Sequence, residues 1–131
     1  AKLPAQGVSA GTPGQRARAR ALERIIDLRI GGPMGAYGHA TKSPLGRPPE
    51  PEKAAQYLRA MQTPMDYLEQ LLRDGRPLLA GDRVNVADCT MQSSLQFMRF
   101  IEADIFGERP LLRAWDKRYR DRPAAQAVLK W

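Results

Sequence analysis

The chain has 131 residues, 43% of them hydrophobic and 27% charged, with 21 Lys and Arg against 14 Asp and Glu for a net charge of +7. That length suits one domain around one core, and the composition argues against wholesale disorder. A single cysteine excludes an internal disulfide, one cysteine with one histidine leaves too few ligands for a closed zinc site, and no run approaches the roughly 18 apolar residues of a membrane span.

Residues 1–13 carry Pro4, Gly7, Gly11 and Pro13 with little apolar content and read as a linker or arm, with the folded domain over 14–131. The chain starts at Ala1, which fits methionine removal or a fragment of something longer. Its first residues lack the apolar core of a signal peptide, so a cytoplasmic protein with no membrane contact is expected.

From Gln15, the residues Leu22, Ile25, Ile26 and Ile30 recur at helical spacing with arginines on the other faces, which predicts an amphipathic helix. Gly31, Gly32 and Pro33 should end or kink it before Met34. The stretch TKSPLGRPPEP is a proline-rich loop. A second helix should begin near Glu50, with Pro51 at its first position, and follow Leu58, Met61, Met65, Leu68 and Leu72 to a stop at Gly75. Pro64 should kink it at Thr63 or force a restart capped by Thr63. No stretch alternates apolar and polar residues over a strand's length, so the fold is all-α.

The segment LLAGDRVNVADCTM, Leu78 to Met91, prepares the least charged run of the chain. Gly81 permits a turn. Asn85 can accept from the amide of Asp88 while Asp88 reaches back to the amide of Asn85, a reciprocal cap, with Val84 and Cys89 at the flanking staple positions. The helix this starts, about Val86 to Ala103, carries Met91, Leu95, Phe97, Met98, Phe100 and Ile101 and should be a buried central helix.

These residues carry a resemblance. PLLAGDRVNVADCTMQSSLQFMRF resembles the segment of cytosolic glutathione S-transferases that enters the central helix of their C-terminal domain, with Asn85 where the family's cap is usually Ser or Thr. GQRARARALERIIDLRI is similar to that domain's first helix, MDYLEQLL to its second, and RPLLRAWDKRYRDRPAAQAVL, with Trp115 and Pro123, to its closing helices. The resemblance runs from about Gly11 to Leu129 and implies a bundle of five to six helices. It also implies a parent enzyme that conjugates glutathione, as co-substrate, to hydrophobic electrophiles in detoxification, as a homodimer. The activating Tyr, Ser or Cys of that family sits in a thioredoxin-like N-terminal domain. No βαβ pattern stands before Gly11, so this chain alone should not activate a thiol and holds no catalytic residue.

By the same resemblance, Met34, Tyr37 and His39 line the electrophile pocket at the far end of the first helix, and Trp131 can reach it from the C-terminus. The structural alternatives are that Tyr37 packs beside Pro33, that His39 caps a helix end and that Trp131 lies at the surface. Cys89, in the first turn of the central helix, could hold a thiolate, but a small core hydrophobe is the better reading, and Asp88 reads as a cap and not a general base. The basic residues are interleaved with acids and no aromatic ladder accompanies them, which argues against nucleic acid. The second reading is a stand-alone helical interaction module of this fold, of the kind appended to translation factors and aminoacyl-tRNA synthetases, for which a charge of +7 suits an acidic or RNA-associated partner.

Overall fold

The computed structural model describes residues 11–129. Its α-helical segments are α1 (Pro13–Ile26), α2 (Gly32–Thr41), α3 (Pro51–Leu71), α4 (Val86–Phe100), α5 (Pro110–Asp121) and α6 (Pro123–Val128). A π-helical turn, Asp27–Gly31, joins α1 to α2, so five rods result, and no strand occurs among the described residues. The fold is an all-α bundle.

α1 starts at Pro13, which needs no amide partner there, and Thr12 caps it in a closed box with Gln15. Of the end or kink expected at Gly31 to Pro33, the end does not occur: the rod continues through the glycines and proline. The amide of Gly32 reaches the carbonyl of Asp27, five residues back, and this wider turn gives room to Pro33, which has no amide hydrogen to donate. The turn also keeps Leu22, Ile26, Ile30 and Met34 on one buried stripe. Steps of four drift steadily around a helix of 3.6 residues per turn, and a π turn winds them back. Ile25, expected in the core, falls off that stripe and is exposed.

α4 runs beside this rod at a distance set by glycine. A Cβ on Gly31 would lie 2.9 Å from Ser94 Oγ, and one on Gly38 would lie 2.6 Å from the Phe97 ring. Side chains at these positions would push the two helices apart.

α3 is continuous through Pro64, with neither the restart nor the Thr63 cap. The turn around the proline is held from outside. Buried Arg109 donates to Asp66 Oδ1 (2.9 Å), the Gln62 carbonyl (3.2 Å) and Gln62 Oε1 (2.8 Å). Glu69 of α3 accepts from the amides of Leu111 (3.1 Å) and Leu112 (2.8 Å), capping α5 with a carboxylate at its positive end. The chain leaves α3 through a short 3-10 turn to Gly75, whose φ of 86° is left-handed.

α4 is buried along Met91, Leu95 and Met98, and Gln92 is buried with them. Phe100 was expected inside and is 47% exposed, because its position falls on the outer face of the last turn.

Two glycines of α2, Gly35 and Gly38, predict opposite outcomes. Gly35 has open space where its Cβ would stand. Gly35→Ala should therefore raise stability in urea unfolding by about 0.5–1 kcal/mol through helix propensity. Gly38→Ala should lower it by about 1–3 kcal/mol through overpacking against Phe97.

Candidate functional site

The two ends of the parallel α1–α2 and α4 pair present different chemistry. At the start of α4, the Leu78–Gly81 turn is closed by Leu78 N to Gly81 O (3.0 Å) and Gly81 N to Leu78 O (3.3 Å), with Gly81 at a φ of 147° that suits glycine. The turn aims the amide of Leu79 at Asp88, where it donates to Oδ1 at 3.0 Å. The indole Nε1 of Trp115 on α5 donates to the same oxygen at 2.8 Å, and the amide of Asn85 donates to Oδ2 at 3.1 Å. Asn85 Oδ1 accepts from the amide of Ala87 at 2.9 Å, and the box between Asn85 and Asp88 closes in both directions.

Asp88 is therefore more than a cap. Its buried carboxylate ties the turn, α4 and α5 together, and burial outweighs its three N–H donors to hold its pKa above the usual carboxylate value. Val84 packs against the core, and Cys89 is half-buried with the Tyr119 hydroxyl donating to its sulfur at 3.6 Å. Burial, helped by that bond, pushes the Tyr119 hydroxyl up to about 12.

Midway along α4, Gln92 donates to Asp116 Oδ1 at 2.7 Å and accepts from Arg99 at 2.5 Å, while Arg99 also reaches Asp116 at 3.2 Å. Among the described residues no buried side-chain nitrogen or oxygen lacks a partner. A glutamine inside an uncharged helix was the sequence signal for this network, and it went unread.

The far end holds the residues expected to line a pocket. Met34 is wholly buried in the core and presents no open face. Tyr37 is half-buried and packs against the core beside it. His39, also half-buried, lies with its ring 5.1 Å from that of Phe97 at 59°, and its Nδ1 is 2.8 Å from Ser43 Oγ. Thr41 closes the helix by donating to the carbonyls of Tyr37 (3.0 Å) and Gly38 (3.1 Å). Tyr37 and His39 thus share a short stretch of α2, with Phe97 as the added ring that sequence reasoning placed in the core. Trp131 lies outside the described residues. No group of three or more His, Cys, Asp or Glu is placed to hold a metal, and no helix is long and apolar enough to cross a membrane, among the described residues.

The family described as "Glutathione S-transferase, C-terminal domain" matches residues 34–123. Among curated proteins, Glutathione S-transferase 2 of Saccharomyces cerevisiae is 28% identical over 123 residues, covering 91% of this chain and 52% of the relative. Among solved structures, Gtt2 from Saccharomyces cerevisiae superposes with a TM-score of 0.78 at 26% identity, over 96% of this chain and 61% of that one. A glutathione S-transferase domain-containing protein of Marinobacter aquaeolei VT8 superposes at 0.73 with 29% identity, over 95% and 61%. The chain spans about half the length of the curated relatives it matches.

The buried carboxylate carries a pH prediction. A raised folded-state pKa means that the folded protein binds this proton more tightly than the unfolded chain does. Asp88 therefore costs stability as pH rises from roughly 4 through its raised value. Urea unfolding at a series of pH values should show wild type losing stability relative to Asp88→Asn from about pH 4 towards neutrality. A difference that grows in favour of wild type would mean that the N–H donors outweigh burial.

Proposed function

Because the chain belongs to the glutathione S-transferase C-terminal domain family, we propose that it is the electrophile-binding helical half of a glutathione transferase. The observation that carries this reading is that the relatives extend well beyond the region they share with this chain. In the proposed reaction a thioredoxin-like domain of the parent binds glutathione and supplies the activating residue. The thiolate attacks the electrophilic carbon, a C–S bond forms, and the leaving group departs with its electron pair. This chain contributes shape and apolar surface. Tyr37 and His39 stand at the half-buried end of α2, Met34 supports them from within the core, and Trp131 is the fourth residue assigned to the pocket.

A homodimer belongs to the same proposal. Ile25 on α1, Leu28 in the π turn and Tyr67 on α3 are exposed apolar side chains and offer a face to a second copy. The cytoplasm is the proposed compartment. The second reading, a non-catalytic interaction module, draws on the net charge of +7.

The test is conjugation of glutathione to a chloronitrobenzene by the protein made from its native gene. We expect turnover, and we expect Tyr37→Ala to raise KM for the electrophile several-fold while KM for glutathione holds. A native gene product without conjugating activity would contradict the reading and favour the module.

A further inference from the structure

At the end of the rod opposite Tyr37, the first turns of α1 and α4 converge on the Ala80–Val86 turn and enclose a cleft of about 370 Å³. Buried Ala19 lies along it. Helical geometry sets Arg18 on one side of Ala19 and Arg16 and Arg20 on the other, and Arg83 lines the cleft from the turn. Against these four arginines the lining holds a single carboxylate, Asp82.

None of the four is in an ion pair among the described residues, whereas Arg76, Arg99, Arg109, Arg113 and Arg120 each have an acidic partner. The ten residues that precede Gly11 contain no Asp or Glu, so they bring no counter-charge. The first turn of α1 carries no acid either, and the positive end of that helix adds to the field. Like charges gathered this way destabilise the free fold, and a bound anion relieves them.

The spacing and the lining narrow the class of anion. Arg16 and Arg20 are four residues apart on α1, about 6 Å along the axis. Alternate side chains of an extended peptide are spaced by about 6.7 Å, so successive carboxylates on one face of such a segment can meet successive guanidinium forks. The lining holds no aromatic ring on which a base could stack, which disfavours single-stranded RNA. We propose that this cleft docks an extended acidic segment of a partner protein, with alternate carboxylates paired to Arg16, Arg20 and Arg83.

The test uses the protein made from its native gene and fluorescence anisotropy of a labelled peptide of alternating Glu and Ala. The cleft variant Arg16→Glu/Arg20→Glu is set against Arg59→Glu/Arg73→Glu, which makes the same change of charge at exposed positions on α3 and the turn after it. Circular dichroism confirms that both fold. We expect the peptide to bind, binding to weaken with salt, and the cleft variant to lose about tenfold or more in affinity while the control loses much less. Equal losses in the two variants would reduce the binding to net charge and overturn the proposal. So would undetectable binding, or an oligouridine that binds more tightly than the peptide at the same salt.

Discussion

One buried carboxylate fixes how this bundle is assembled. Asp88 accepts hydrogen bonds from Leu79 in the turn, from Asn85 at the start of its own helix and from Trp115 on α5. Each bond to a charged acceptor is worth about 1.5–3 kcal/mol, and each donor would be costly to leave buried and unpaired. The three bonds therefore set the start of α4, the path of the turn before it and the position of α5 together. Everything packed on α4 inherits that register, including the α1–α2 rod and the end of α2 that carries Tyr37 and His39.

The second constraint is the close approach of α4 to the rod at Gly31 and Gly38. Close packing there brings the His39 ring onto Phe97 and encloses Met34 in the core, so the proposed pocket end is shaped by α4 as much as by α2. The π turn makes this possible. It keeps the buried stripe on one face past Pro33, while Ile25, off that stripe, is exposed as Leu28 and Tyr67 are. A feature that reads in sequence as a helix break thus becomes, in three dimensions, the device that lets one rod serve both the arginine cleft at its start and the aromatic site at its end.

Much of the fold was legible because its signals are local. Pro51 at a first helical position, Gly75 in a left-handed cap and Asn85 with Asp88 at a helix start all act within one turn of chain. What was not legible depends on partners far along the sequence. Arg109 holds Gln62 and Asp66 on either side of Pro64 from far along the chain, and Gly31 and Gly38 are needed because Ser94 and Phe97 approach them. Phe100 and Ile25 show the limit of counting apolar residues at helical spacing, since a face one step off the stripe meets solvent. At the candidate site, the family resemblance could place Met34, Tyr37 and His39 near one end of the first helix. It could not say that Met34 would be wholly enclosed, or that Trp115 would reach Asp88.

The most direct test of the central claim is a double-mutant cycle between Asp88→Ala and Trp115→Phe, read by urea unfolding. If the carboxylate and the indole hold α4 to α5 as described, the two changes should couple by about 0.5–3 kcal/mol, because removing either partner removes the same bond. Effects that add to within about 0.3–0.5 kcal/mol would show that the two residues stabilise the bundle independently, and would contradict the account.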